Sequence, residues 1–520
     1  MTLRLRDTLT RTIRPVESIE PGRVRMYSCG PTVYRYAHVG NLRTFLLADL
    51  IRRALLWHGL DVLHVQNITD VGHLRDERFD RGDDPMLVAA GLEEKSPAEI
   101  ADAYEGAFHA DKALIGILPA HAYPRATEHI AEMIDLAERI EDAGHAYLGE
   151  SGTLYYDVGS FPGYGRLSGN SPDALRAGHR GEVEPDKRDP ADFALWKPAG
   201  EGRLLSWPTP RWGVGFPGWH LECSAMAMRW LGPEFDIHTG GIDNVFPHHE
   251  DEIAQTAAIT GSLPARLWVH GAFLTSSGRK MAKSAGNFQR ITELAGDGLD
   301  PLAFRHLALS SRYSHKLDLT DASLGAAASG LTTLRDRMAD LGPPPSDGPW
   351  AEPPALHAGV APPRPDGLAA AVNGHGSPPM TDLSRIDRAH APGAPLSDAG
   401  RDLHQRVAAA IDQDLDTPTA LALVHRILRS RDLSADERRW LALDADMVLG
   451  LNLARAWSSH RTTDGAIPDE VRELVAGRVT ARASRDFASA DAARDRLDAL
   501  GWEVVDRADG SSEVRLRPTR

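Results

Sequence analysis

Between residues 23 and 70 the alternation of apolar and polar positions changes period twice. Residues 23–28 (Arg-Val-Arg-Met-Tyr-Ser) and 61–67 (Asp-Val-Leu-His-Val-Gln-Asn) read as β-like runs. Between them Leu46, Leu47, Leu50, Ala54 and Leu55 recur at helical spacing, and Gly59 stands where a helix would be capped. The pattern predicts a strand–loop–helix–strand unit, one βαβ half of a nucleotide-binding sheet. Its first turn sets polar and glycine residues at a helix N-terminus, where main-chain N–H groups and the helix dipole favour phosphate. No G-x-G-x-x-G and no Walker lysine accompanies the turn, so neither dinucleotide nor P-loop binding is indicated.

The rest of the pattern extends this layout. A charged stretch at 75–84 reads as a loop. Residues 96–143 are helical, with Ile130, Met133, Ile134, Ala137 and Ile140 forming an apolar stripe of the kind that builds a core. Residues 153–158 read as a strand, and 163–192 are polar and turn-rich. A second half of the sheet begins near Trp207. It holds a helix led by Pro217-Gly218-Trp219 and ending around Leu231, a strand at 235–238, and the turn Thr239-Gly240-Gly241-Ile242-Asp243. A helix opening at Phe246-Pro247-His248-His249-Glu250-Asp251-Glu252 and a short strand at 267–271 follow. Residues 342–398, rich in Pro, Gly and Ala, cannot bury enough apolar surface to fold alone and read as a disordered linker. Beyond it 403–428 and 440–457 are helical, and a charged helix covers 471–500. Residues 502–505 and 513–516 flank Asp509-Gly510 as a hairpin. The expected fold class is α/β: a Rossmann-like, doubly wound parallel sheet with an inserted domain, then a C-terminal helical domain and a small helix-plus-hairpin domain.

Composition narrows the field. A chain of 520 residues exceeds a single core and implies about three or four domains. No run approaches the ~18–20 apolar residues of a membrane span, and the polar, arginine-bearing first residues are no signal peptide. Only two cysteines occur, Cys29 and Cys223, which excludes a disulfide framework and suits a reducing cytoplasm. The formal net charge of −15 argues against general nucleic-acid coating but leaves room for a local basic face gripping one RNA.

The candidate chemistry lies at the expected junction of the two halves. Cys29 ends the first strand, and Cys223 lies on the helix before the strand that feeds the Gly240-Gly241 turn. His248 and Glu252, at i and i+4, share a helical face. In a parallel sheet the carboxyl ends of the strands from both halves meet at a switch point where ligands bind. Two thiolates, an imidazole and a carboxylate suit zinc, although on spacing alone two unrelated buried cysteines are the commoner arrangement. The two lysines of Lys280-Met281-Ala282-Lys283-Ser284, behind Gly278, would by themselves be ordinary solvated surface.

Taken together, these motifs resemble those of the cysteinyl-tRNA synthetases, within class I of the aminoacyl-tRNA synthetases. The resemblance is carried by Cys29-Gly30-Pro31-Thr32-Val33-Tyr34, His38-Val39-Gly40-Asn41, Glu222-Cys223-Ser224-Ala225-Met226, His248-His249-Glu250-x-Glu252 and the Lys280–Ser284 segment. It implies a cytoplasmic monomer, free of the membrane. Such an enzyme activates L-cysteine with ATP and Mg2+ to cysteinyl-adenylate and passes the cysteinyl group to tRNA(Cys). It further implies one zinc ion per chain on Cys29, Cys223, His248 and Glu252, which would select a thiol over serine's harder hydroxyl and remove the need for editing. Cys29, Thr69 and Trp219 would line the cysteine pocket. His38, Asn41, Lys280 and Lys283 would be catalytic, stabilising charge on the α-phosphate and departing pyrophosphate. ATP would be held by His38, Gly40, Asn41, Gly240, Gly241, Asp243, Trp268, His270 and Lys283.

Three positions depart from the family pattern. Gly72-His73-Leu74 stands where Asp-Asp-Lys is more usual, Asn41 replaces the last His of the tetrapeptide, and Ala282 replaces Ser, a donor worth about 1 kcal/mol. The implied division is a catalytic domain at 1–102 and 211–275, an insertion at 103–210, a lysine-loop and stem-contact region at 276–341, and the linker at 342–398. A helical tRNA-binding domain at 399–460 and an anticodon-recognition domain at 461–520 complete it. In the last domain Arg478, Arg482, Arg485 and Asp486-Phe487-Ala488 resemble the anticodon-reading region, and Asp414-Leu415-Asp416-Thr417-Pro418 the start of the helical domain. Two other functions remain open: a ligase passing activated cysteine to an amino sugar, as in mycothiol synthesis, and a non-catalytic tRNA-binding paralogue. The anticodon-type tail weighs against the first, and the intact zinc set and loop lysines against the second.

Overall fold

Four parallel strands position everything else. The computed structural model describes residues 2–71, 95–170, 186–200, 203–276, 278–280, 289–296, 298–351, 395–457, 469–484, 486–500, 502–506 and 512–516. Strand Arg23–Ser28 pairs in parallel with Asp61–Gln66 on one side and with Phe235–Gly241 on the other, and Ala265–Gly271 completes the sheet beyond Phe235–Gly241. Every residue of Phe235–Gly241 is buried, as a central strand covered on both faces requires. The chain leaves Arg23–Ser28 through helix Val39–Trp57 to one side, and leaves Phe235–Gly241 through helix Glu250–Thr260 to the other. These two neighbouring strands are therefore the switch point, and their carboxyl ends open a crevice.

The expected insertion interrupts this sheet, but with wider bounds than 103–210. Helix Pro97–Leu114 runs unbroken through residue 103 from a Ser96–Glu99 capping box, and the strands of the inserted sheet continue to Pro217. That sheet is antiparallel and five-stranded, in the order Ala146–Leu148, Leu154–Tyr156, Phe193–Pro198, Gly213–Pro217, Trp207–Thr209. Two further boundaries moved for local reasons. The helix expected from Phe246 starts only at Glu250, because Val245–His249 forms a wide turn with extended backbone at Phe246 and a cis Phe246–Pro247 bond. The stretch 403–428 divides into helices Asp398–Asp412 and Thr417–Arg429, where Asp414 and Leu415 adopt left-handed backbone and Asp416 caps the second helix.

The helices after the linker are not a separate core. Leu403, Val407, Ile411, Val424, Ile427, Trp440, Leu443 and Val448 join one continuous apolar cluster with Leu47, Leu50, Ile51 and Leu55 of helix Val39–Trp57. The seam is closed by a buried charge cluster. Asp49, whose side chain has no exposed surface, accepts from Arg53 Nε at 2.8 Å, from Arg305 Nη2 at 2.7 Å and from the Leu118 N–H at 2.8 Å. Arg53 also donates to Met447 O and Gly116 O, and Arg305 to Leu449 O, Ile115 O and Gly116 O. One carboxylate thus ties the sheet domain, the insertion, helix Leu302–Leu309 and helix Ala435–Leu449. The boundary drawn at 399 is a boundary in sequence, not in packing. The C-terminal pair of helices, Asp469–Ala483 and Phe487–Ala499, does have its own small core of Val471 and Leu497 with Leu474, Val475, Leu500 and Val504, and the expected hairpin forms from Trp502–Asp506 and Ser512–Leu516. Residues 72–94 and 352–394, which include Gly72-His73-Leu74, the charged stretch and most of the linker, lie outside the described residues.

Arg305→Met should lower global stability by about 3 kcal/mol in urea titrations, since Leu449 O and Ile115 O lose this donor and the buried Asp49 carboxylate keeps only one of its two guanidinium partners. Burial alone would push the Asp49 carboxyl up, but Arg53, Arg305 and the Leu118 N–H hold it below its ordinary value. A depressed carboxylate stabilises the fold above its unfolded pKa and loses that contribution as pH falls, so the gap between parent and variant should shrink below about pH 4.

Candidate active site and metal centre

At the switch point the main chain brings the two halves into contact. The Cys29 N–H donates to Thr239 O at 3.2 Å, extending the strand pairing by one residue and fixing the thiol at the mouth of the crevice. Gly30 follows because nothing larger fits: a Cβ there would stand 1.6 Å from Asn67 O. Cys223 lies in the second turn of helix Trp219–Leu231, whose first turn presses so close to strand Phe193–Pro198 that a Cβ on Gly218 would meet Ala194 O at 1.9 Å. His248 comes from the wide turn rather than the helix, yet its Nε2 still lies 3.0 Å from Glu252 Oε1. The donor atoms of Cys29, Cys223, His248 and Glu252 all lie within 4.8 Å of one another, and all four residues are buried.

The electrostatics of this cluster call for a cation. Its hydrogen bond with Cys29, then burial, drives the Cys223 thiol well above its usual pKa. Burial raises Cys29 and Glu252 and drives His248 well below the usual imidazole value. Glu252 Oε1, despite its approach to His248, has no hydrogen bond and no solvent contact. Two buried thiols, a neutral imidazole and an orphaned carboxylate oxygen converging on one point fit a tetrahedral ion with bonds of about 2.0–2.3 Å. Cys29 and Glu252 also belong to a second possible donor set with His238 and His249.

Around the donors stands a histidine network that the motifs did not reveal. His249 Nε2 lies 3.1 Å from Cys29 Sγ, its Nδ1 2.8 Å from His270 Nε2, and His270 Nδ1 2.7 Å from Thr8 Oγ1. His238 Nε2 pairs with Glu252 Oε2 at 2.9 Å. His220 Nδ1 pairs with His248 Nδ1 at 2.8 Å and its Nε2 with Asp251 Oδ2 at 3.3 Å, while Tyr164 donates to Asp251. Partners of this kind orient metal ligands. The His248-His249 doublet was the only visible signal; the others stand alone in the sequence.

The other expected residues are brought together unequally. Trp219 stacks on His248, centroids 4.2 Å apart. Thr69 is buried, accepts from Asn67 Nδ2 at 3.1 Å, and its main chain bridges to Pro31 and Val33. His38 caps helix Val39–Trp57: His38 Nδ1 accepts from the Asn41 N–H at 3.2 Å, and Asn41 Oδ1 accepts from the His38 N–H at 3.1 Å. Asn41 thus completes a capping box, a role histidine could not fill in the same way, and its amide nitrogen remains a donor at the helix N-terminus beside Gly40. Gly240 and Gly241 end the central strand. A Cβ on Gly241 would sit 3.5 Å from Thr44 Oγ1, so the glycine pair adjoins that helix, and exposed Asp243 follows. Trp268 differs from expectation. The residue has no exposed surface, its ring stacks on His238 at 4.7 Å, its N–H donates to Asp7 and its carbonyl accepts from the Thr8 N–H, while His270 is committed to His249 and Thr8. Lys280 lies on strand Arg279–Lys280, paired with Thr275 behind a turn at Gly278. Lys283 and Ala282 lie outside the described residues. In the C-terminal unit Arg478 is buried, Arg482 is exposed, Arg485 is not among the described residues, and Phe487 is 64% exposed beside them.

This combination of a split parallel sheet, a capped helix N-terminus and a lysine-bearing hairpin defines a class I aminoacyl-tRNA synthetase. Residues 15–329 match the family model described as the tRNA synthetases class I (C) catalytic domain. The chain is 38% identical to the cysteine–tRNA ligase of Thermosynechococcus vestitus, covering 98% of each chain, and 40% identical to cysteine–tRNA ligase 1 of Burkholderia lata, covering 98% of this chain and 96% of that one. It belongs to the cysteinyl-tRNA synthetase family, whose members are ligases. The matches run through the C-terminal helices as well as the sheet, which favours neither the amino-sugar ligase nor the binding-only paralogue. Among the described residues no helix is long and apolar enough to cross a membrane.

Asn41→Ala removes one arm of the capping box and should cost about 1 kcal/mol in urea unfolding, whatever its effect on turnover.

Proposed function

We propose that this chain, acting as a monomer in the cytoplasm, activates L-cysteine with Mg2+-bound ATP and charges tRNA(Cys). The buried convergence of Cys29, Cys223, His248 and Glu252 at the switch point carries the reading. Zinc held there would supply a Lewis acid that takes the substrate thiol as thiolate and gains nothing comparable from a hydroxyl. The protein's own residues do the rest. Trp219, braced on His248, walls the side-chain pocket. Thr69, held by Asn67, is the pocket's polar neighbour. The cysteine carboxylate oxygen attacks the α-phosphorus, the bond to the bridging oxygen breaks, and pyrophosphate leaves. His38, the N–H of Gly40 and the side-chain amide of Asn41 lie at the positive end of a helix, suited to that growing charge. Lys280 and Lys283 would neutralise the departing pyrophosphate, and Gly240, Gly241 and Asp243 would seat the ribose. In the second step a terminal ribose hydroxyl of tRNA(Cys) attacks the adenylate carbonyl and AMP leaves. Arg482 and Phe487 offer a cation and an open ring to an unstacked anticodon base.

Full-length protein should contain about one zinc per chain, and Cys223→Ser should lose most of it. Cysteine-dependent ATP–pyrophosphate exchange should then fall by at least about 100-fold, because a hydroxyl is a poor zinc ligand. Unchanged metal and exchange in that variant would refute the assignment. A second test separates activation from charging. Deleting residues 469–520, which hold their own core, should leave pyrophosphate exchange near the parent level. Charging of tRNA bearing the GCA anticodon should drop by about tenfold or more, and in the intact chain it should weaken with added salt. An intact chain that activates cysteine yet never charges that tRNA would point to another acceptor.

A further inference from the structure

Arg290 stands seven residues after Lys283, and the chemistry above makes no use of it. Its surroundings are built from three separate elements. Just before it, Gln289 O accepts from the N–H of Val39 at 3.0 Å, which ties this point of the chain to the helix N-terminus beside His38. Its guanidinium carbon lies over the ring of Tyr36, 3.5 Å from the centroid, and Tyr36 meets Tyr104 edge-on at 4.7 Å. Beyond the guanidinium, on the same helix as Tyr104 (Pro97–Leu114), is Asp111. Its side chain is 1% exposed, neither carboxylate oxygen has a hydrogen bond, and Oδ1 lies 4.0 Å from Arg290 Nη2. Arg290 Nε is likewise buried without a partner.

A buried carboxylate and a buried guanidinium nitrogen, both lacking hydrogen bonds, are a poor device for stability. The arrangement makes sense as one that fixes a position. A planar guanidinium can stack on a ring and face a carboxylate at once, which a lysine cannot. Burial, only partly opposed by the Arg290 charge, lifts the Asp111 carboxyl to about 6. The Arg290 side chain joins the loop before the His38 helix, the insertion and the segment that follows the lysines.

We propose that Arg290 is a positioning residue for amino-acid activation: gripped by Tyr36 and Asp111, it fixes the downstream end of the lysine-bearing segment against the N-terminus of helix Val39–Trp57. The inference rests on the adenylate-forming reading of the site.

The test is cysteine-dependent ATP–pyrophosphate exchange by the full-length, zinc-loaded enzyme, with metal content and thermal midpoint measured on every variant. Arg290→Met and Asp111→Asn should each lower kcat about tenfold while KM for cysteine stays within about twofold of the parent. Arg290→Lys, which keeps the charge without the fork, should recover part of the loss. The double variant Arg290→Met/Asp111→Asn should be no slower than Arg290→Met alone, since both changes break one unit. Parent-like kcat in Arg290→Met would overturn the proposal. So would losses that multiply in the double variant, or losses that merely follow a fallen midpoint or a raised cysteine KM. If Asp111→Asn does not fold, the comparison of Met with Lys at position 290 decides. Absence of exchange in the parent enzyme would instead overturn the synthetase reading beneath it.

Discussion

The Asp49 side chain has no exposed surface, and the sheet domain, the insertion and the helices after the linker all meet around it. Two guanidiniums and a main-chain N–H meet its oxygens, and the guanidiniums reach on to carbonyls of the insertion and of helix Ala435–Leu449. A buried ion cluster of this kind adds little net stability compared with apolar packing, but it admits only one arrangement of its parts. Here that arrangement fixes the middle of helix Val39–Trp57. The N-terminus of the same helix carries His38, Gly40 and Asn41 to the crevice. Charge buried far from the chemistry therefore sets where the chemistry can happen.

The metal cluster follows the same logic in reverse. Its four donors are buried and, without a cation, are driven toward their neutral forms by their own burial and mutual repulsion. The surrounding histidines restrain these donors through their second nitrogens, so the site is preorganised before any ion or substrate enters. Trp219 adds to this restraint, since its ring packs on His248. In the proposed function, selectivity would depend on coordination chemistry rather than on fit, which an apolar pocket could not match between near-isosteric side chains.

Much of this was legible in the sequence, for a physical reason. Strand–turn–helix signals are local, so the βαβ unit, the Gly240-Gly241 turn, the C-terminal hairpin and the composition break after residue 342 could be read from neighbours alone. The donor types were legible as well, because thiol, imidazole and carboxylate side chains declare their chemistry wherever they stand. Asn41 stands in the sequence only as a departure from the family's histidine, and the structure gives it a positive role as the second arm of a capping box.

What only the tertiary structure decided was pairing across distance. Periodicity shows that helices Asp398–Asp412, Thr417–Arg429 and Ala435–Leu449 have apolar faces but cannot say what covers them, and the answer is the sheet domain itself. It cannot reveal that Trp268 is sealed within the core or that His249 meets Cys29, 220 positions away. Nor can it show that Asp111 and Arg290 face each other across the insertion boundary. Apolar burial is non-directional and a lone histidine or aspartate carries no partner's name, so sequence fixes the kinds of group present while folding alone chooses which of them meet.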